Sequence, residues 1–209
     1  KCITCTDAII SDDVIAQEIE RFVCSNFGGG HTHVRVPEMD EFYAVKEDLQ
    51  GRDQSIGRLH TDGNIPNVTG MFCFRMLVCL ESQDKEAATV LCTNSGEQAV
   101  SLSSTGDYLI FDYNCQPHFL RQGKERRFRS FLKIHFIVFP KTIRPSILTL
   151  YRRIVYKDNR ATRLLQEAKN PNPVASSFAN MASLVKAMFF DTSPSGNFII
   201  GESTQTFGL

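Results

Sequence analysis

His60 and Asp62 stand two residues apart in the stretch 57–63 (GRLHTDG). On an extended strand this spacing puts both side chains on one side, because side chains alternate with a period of two. An imidazole and a carboxylate placed so can reach one ion. A third ligand must come from elsewhere, and the best candidate is His118, which follows Gln116 and Pro117. Two histidines and one carboxylate on one face of a metal, with other positions open, are the ligand set of a non-heme Fe(II) centre that activates dioxygen. Singly, each has an ordinary explanation: a loop histidine, an Asp-Gly turn, a surface histidine after proline. Together, with arginines downstream, they favour a metal.

If the co-substrate of such a centre is 2-oxoglutarate, its keto-acid end chelates the iron. Its far carboxylate then needs a cation deeper in the fold, and the arginine fork suits that best. Arg126, Arg127 and Arg129 open the strand that follows His118. Arg127 and Arg129 share one face, and one of the two is expected to point inward. The other charges of 121–129 read as a solvated hairpin loop.

Other pairs carry less. Cys2 and Cys5 form a lone CxxC with no second pair at zinc-finger spacing. His31 and His33 look like a metal pair, but nothing nearby completes them, and a loop or strand edge is the simpler reading. Gly28–Gly30 lacks the Lys-Ser/Thr of a phosphate loop and ends a helix instead.

The elements that must position these residues follow from periodicity. Ser11-Asp12-Asp13 starts a helix, with Val14, Ile15, Ile19, Phe22 and Val23 at helical spacing and acids in the first turn. Residues 38–53 are polar and acidic, a short helix or irregular cover. Strands dominate from Ile56. The run 71–80 (MFCFRMLVCL) is almost wholly apolar and reads as a buried strand. Strands are expected at 88–92, 99–102, 108–111, 117–120 and 128–139, with turns at 81–86, 94–96 and 103–106. Many short strands at even spacing indicate a sandwich or barrel of jelly-roll type. Pro140 closes the strand region. A basic helix covers 147–168, and a second amphipathic helix covers 176–190. The expected fold is mainly β with flanking helices around a double-stranded β-helix (jelly-roll, cupin-like) core. One domain is expected, with helical support at 1–55, the core at 56–140, and helices packing on it at 141–209.

The order His60-x-Asp62, the strand ending Leu-Val-Cys-Leu-Glu81, Ala87-Ala-Thr-Val90, Gly106-Asp-Tyr-Leu-Ile-Phe111, His118 and then arginine resembles the Fe(II)/2-oxoglutarate-dependent dioxygenases, nearest in look to the prolyl-hydroxylase-like branch. The likeness covers roughly residues 56–139. Two positions depart from the branch: its Gly-Gly before Thr is Ala87-Ala88, and its co-substrate tyrosine is Cys79. Arg75 lies on the strand face of Leu77 and Cys79. If that face looks inward, Arg75 either contacts the co-substrate or takes the place of the usual salt-bridge partner. The resemblance implies Fe(II) on His60, Asp62 and His118, and 2-oxoglutarate on Arg127 or Arg129 with Arg75 and Cys79 beside it. It also implies ascorbate as an accessory reductant, and oxidation of a substrate C–H bond, most often hydroxylation, with release of succinate and CO2. Two alternatives differ in class: a jelly-roll interaction module without the reaction, and a cupin-like metalloenzyme independent of 2-oxoglutarate. Intact iron binding without co-substrate binding would single out the second.

Composition sets outer bounds. The chain has 209 residues, enough for one sizeable core, and its formal net charge is zero, which argues against a generally basic nucleic-acid binder. Up to Asp62 there are 6 Lys+Arg against 12 Asp+Glu, leaving 23 − 6 = 17 against 23 − 12 = 11 for the remainder. The back half could present a basic surface to an anion, although a solvated helix face explains it as well. Seven scattered cysteines, an odd number, favour reduced thiols and an intracellular compartment, cytoplasmic or nuclear. No run is apolar for long enough to span a bilayer, so no membrane association is expected. Lys1 is not a natural start, so the sequence reads as trimmed, and the lack of a targeting signal is uninformative. The substrate stays open among peptide, nucleic acid and small molecule, with Tyr43, Tyr108 and Tyr113 as aromatic residues for a mouth. The oligomeric state is equally open.

Overall fold

The computed structural model describes residues 12–46, 59–65, 70–81, 86–121, 128–167 and 199–201. It opens with α1 (Asp12–Phe27), whose Ile15, Ile19, Phe22 and Val23 are buried, as their spacing requires. A 3-10 turn at Gly28–Gly30 ends the helix. Among the described residues nine strands and a second helix follow: β1 (His31–Arg35), β2 (Glu41–Lys46), β3 (Phe72–Cys79), β4 (Ala88–Thr93), β5 (Gly96–Val100), β6 (Tyr108–Asp112), β7 (His118–Arg121), β8 (Phe128–Pro140), α2 (Pro145–Glu167) and β9 (Ile199–Gly201).

The strands form two antiparallel sheets. The larger has the order β1-β8-β3-β6-β9 with β2 also on β8, and the smaller has β5-β4-β7. The fold is mainly β, a sandwich of cupin-like type with flanking helices. The faces of β3, β6 and β8 explain the layering. Phe74, Met76, Val78, Tyr108, Ile110, Leu132, Ile134, Phe136 and Val138 point to one side and pack under α1. Leu77, Cys79, Leu109, Phe111 and Phe131 point to the other and meet Leu91 and Val100 of the smaller sheet and Leu102 just beyond it. Strands buried on both faces read as near-continuous apolar runs, which makes β3 and β8 plain in the sequence.

Three expectations are corrected. Part of the acidic stretch read as a helix or irregular cover is β2, paired along β8 from Glu41↔Lys133 to Lys46↔Phe128. Its acids hid a period-two pattern, with Phe42 exposed and Tyr43 half-buried. The strand expected at 99–102 begins earlier and ends at Val100. Pro140 does not close the strand region, since β9 pairs with β6 at the sheet edge. The helix expected at 176–190 lies outside the described residues.

β8 carries two partners in series on one edge. β1 pairs up to Phe136, and β2 begins at Lys133. In the gap the His135 N–H donates to Asp40 Oδ1 at 2.9 Å, and the Val36 N–H donates to the His135 carbonyl at 2.8 Å. A side chain thus completes the ladder where the strand partners change over, pairing the His135 N–H and carbonyl.

Candidate metal centre

His60 and His118 meet across a short antiparallel bridge. The His60 N–H donates to the His118 carbonyl at 3.0 Å, and the His118 N–H returns the bond at 2.8 Å. Asp62 follows two residues on, as the His-x-Asp spacing requires. Just beyond, the Gly63 N–H donates to the Tyr113 carbonyl at 2.9 Å. A Cβ on Gly63 would overlap Asn114 Oδ1 and the Tyr113 ring, so this close approach of two chains needs glycine. The Asn64 N–H donates to Asp158 of α2 at 2.9 Å, and Asn159 of α2 donates to the Tyr113 hydroxyl at 3.0 Å. β7 is aimed by an Asx turn in which Asp112 Oδ1 accepts from the Asn114 and Cys115 N–H groups, each at 2.8 Å.

The ligand atoms of His60, Asp62 and His118 lie within 4.8 Å of one another. Asp62 Oδ1 is 3.9 Å from His60 Nε2, and Asp62 Oδ2 is 3.5 Å from His118 Nε2. Atoms sharing one ion through bonds of about 2.1 Å can be at most about 4.2 Å apart. These spacings therefore suit a common ion with little adjustment.

Two further observations fit a metal. His118 Nδ1 lies 3.0 Å from the Gln116 carbonyl, which can only accept. The proton therefore sits on Nδ1, and Nε2 keeps its lone pair for the site, the usual device for orienting a metal-binding histidine. Asp62 Oδ2 is buried and 2.5 Å from Arg75 Nη1, yet among the described residues no hydrogen bond of good geometry reaches it. A buried carboxylate oxygen with lone pairs to spare is what a cation would use.

The charges around the site hold these protonation states. Burial alone would raise the Asp62 pKa, but the Arg75 guanidinium, then His118 and His60, outweigh it and hold the carboxyl well below the usual range. Burial is the main cause that pushes His118 down to about 4, so it is neutral at pH 7 and able to ligate. His135 is also pushed down to about 4, by burial and then by Arg75. Between 6.5 and about 4 the unfolded chain takes up protons at these two histidines that the folded chain refuses. Metal-free protein should therefore lose stability as pH falls through that window, by up to about 1.4 kcal/mol per pH unit for each histidine. Urea midpoints in chelator at pH 7.5 and pH 5 check this; a midpoint that rises on acidification would contradict it.

The other expected site residues fall as follows. Arg75 and Cys79 share one face of β3 with Leu77, and that face looks inward. Arg75 is opposite His135 and Leu77 opposite Lys133 in the β3–β8 register. Cys79 is fully buried in the apolar layer, and its thiol donates to the Glu81 carbonyl at 3.0 Å. Arg127 lies outside the described residues. Arg129 is on β8, opposite Val45 in the register with β2, and its side chain is not described. Tyr43 is beside Lys133, whose Nζ stands 3.8 Å from the ring centroid. Tyr113 is buried behind Arg75, and Tyr108 is on the opposite face of the sheet, donating to Glu18 of α1. His31 and His33 lie on edge strand β1, and His33 pairs with Glu20 at 3.3 Å. Among the described residues no disulfide joins two cysteines. Among the described residues no helix is long and apolar enough to cross a membrane.

Lys133 is the residue that the sequence reading passed over. It shares the inner face of β8 with His135, and Glu41 Oε2 is 3.5 Å from its Nζ. Burial, then Arg75, pushes its pKa down to about 8, so it remains charged at neutral pH. The alternation Phe131, Lys133, His135 was the available signal, but it could be used only once the inner face of β8 was known.

The fold and the site together define a cupin-like β-sandwich with a two-histidine, one-carboxylate group that could hold a metal. No family model matches the sequence, and no curated protein matches it either. Among solved structures the chain is similar to ThoJ, a non-heme monooxygenase solved as its nickel complex, at 12% identity and a TM-score of 0.39. The likeness covers 63% of this chain and 56% of that one, so this chain matches little more than half of the length of ThoJ.

Proposed function

We propose that this protein is a non-heme Fe(II) oxygenase that uses 2-oxoglutarate as co-substrate to oxidise a substrate C–H bond. The observation that carries this reading is the convergence of His60, Asp62 and His118 on the inner side of a cupin-like sandwich. Two cations, the buried Arg75 and the half-buried Lys133, lie on the same inner face. When bound, iron supplies the dioxygen chemistry, in which substrate, O2 and 2-oxoglutarate give hydroxylated substrate, succinate and CO2.

The protein's share is binding, orientation and charge. His118 offers Nε2 because Gln116 holds the proton on Nδ1. Asp62 stays ionised at any physiological pH. Phe111, whose ring lies 4.9 Å from that of His118, walls the site against water. We assign the far carboxylate of 2-oxoglutarate to Lys133, since Arg75 already spends Nη1 and Nε on protein partners. Lys133 would trade its Glu41 contact for the co-substrate.

Succinate release from 2-oxoglutarate with Fe(II), ascorbate and air tests the reading, with His60→Ala as control. Turnover that vanishes in the control supports it. Lys133→Met should then raise the 2-oxoglutarate KM at least tenfold with little change in folded stability. Metal binding without any response to 2-oxoglutarate would point to a co-substrate-independent enzyme, and no metal binding to an interaction module.

A further inference from the structure

We infer that Arg75 is a positioning residue for the metal-binding carboxylate, bridging Asp62 to His135 so that the carboxylate is held in one orientation toward the two histidines. The inference rests on the metal-site reading of His60, Asp62 and His118. It adds a role for a residue pair that coordinates nothing itself.

The geometry is specific. Arg75 Nη1 stands 2.5 Å from Asp62 Oδ2, while Arg75 Nε donates to His135 Nε2 at 2.9 Å. The guanidinium carbon also lies 4.9 Å from the centroid of the Tyr113 ring. A guanidinium is planar and rigid, so two contacts on different nitrogens and a ring against its face fix its plane. The far end is equally fixed. Arginine can only donate, so His135 Nε2 accepts and its proton is on Nδ1. His135 is fully buried, and its backbone N–H is held by Asp40, which in turn pairs with Arg35 Nη2 at 2.6 Å. The β3–β8 register places Arg75 directly across from His135, so the bridge is built into the sheet.

A carboxylate ligand left to itself can rotate, or bind a metal through both oxygens. Here the Arg75 ion pair at Oδ2 holds the carboxylate in one rotation, with Oδ1 toward His60 and Oδ2 toward His118. Residues that hold a ligand from behind commonly contribute 10-fold to 100-fold to metal affinity. Arg75 also adds positive charge beside the site, which acts against a divalent cation. If charge alone mattered, removing Arg75 would tighten binding. The bridge predicts the reverse.

The test is Co(II) binding to the full chain, followed by its visible absorption spectrum and by competition for Kd. Wild type should bind, and His118→Ala should not; failure here would overturn the metal-site reading itself. Given that binding, Arg75→Met should weaken Co(II) 10-fold to 100-fold and alter the spectrum, because the carboxylate changes its mode. Arg75→Lys, which keeps the charge but cannot span both partners, should recover little. Should the Arg75 variants fail to fold, His135 carries the test. His135→Leu removes the far anchor and should weaken binding about 3-fold to 10-fold, whereas His135→Gln keeps an acceptor for Nε and should restore it. A wild-type Kd and spectrum in Arg75→Met, or in His135→Leu, would overturn the inference, as would tighter binding in Arg75→Met.

Discussion

Metal-free Asp62→Ala protein is expected to unfold at a urea concentration roughly 2 M below that of the wild type. The Asp62 side chain is 11% exposed, its partner Arg75 is 8% exposed, and the pair is 2.5 Å apart. Removing one member of a buried ion pair strands the other charge, which costs about 3–5 kcal/mol. Lys133 on the same inner face keeps its Glu41 partner and loses only the weaker attraction of Asp62. With a urea dependence of about 2 kcal/mol per M, that cost gives the stated shift. Asp62→Asn should move in the same direction by less, because it keeps the shape and loses only the charge. Circular dichroism melts in chelator measure both, and an unchanged midpoint in Asp62→Ala would mean that Arg75 has found other compensation.

His60→Ala should behave in the opposite way. Its ring is 30% exposed, and its nearest approach to Asp62 is 3.9 Å. The bridge to His118 is made by backbone groups, which survive truncation of the side chain. Metal-free stability should therefore stay within about 1 kcal/mol of wild type, as for most half-exposed positions. Metal affinity should fall by more than about 100-fold, beyond the range seen for residues that only support a ligand. Calorimetric titration with Fe(II) or Co(II) under nitrogen measures that loss. Side by side, the two variants separate what Asp62 does for the fold from what it does for an ion.

Legibility in the sequence followed burial. β3 and β8 could be read because strands covered on both faces are mostly apolar. α1 could be read because one covered face leaves a helical period. The His60, Asp62 and His118 group was legible from the type and spacing of its residues, and the structure brings all three together. β2 was hidden because half of its residues face water and the stretch around it is acidic. β9 was hidden because three residues carry no periodicity. Lys133 was hidden for a different reason. A single charge in a strand looks the same whether it points in or out, and only pairing with Leu77 fixes its side. The bond from Arg75 to His135 joins positions 60 apart in sequence and leaves no local trace.

The clamp of α2 on the His60–Asp62 segment also has a consequence in time. Asp158 holds Asn64 across 94 residues, and Asn159 holds Tyr113 across 46. A growing chain that has just passed His118 already contains every proposed ligand, together with Arg75. It does not yet contain the helix that ties the His60–Asp62 segment down. At about 5–20 residues per second the nascent protein spends several seconds in that condition. Ion capture should therefore trail synthesis of the ligands and wait for the helix to dock. Any variant that loosens α2 would slow loading of the site without touching a single donor atom.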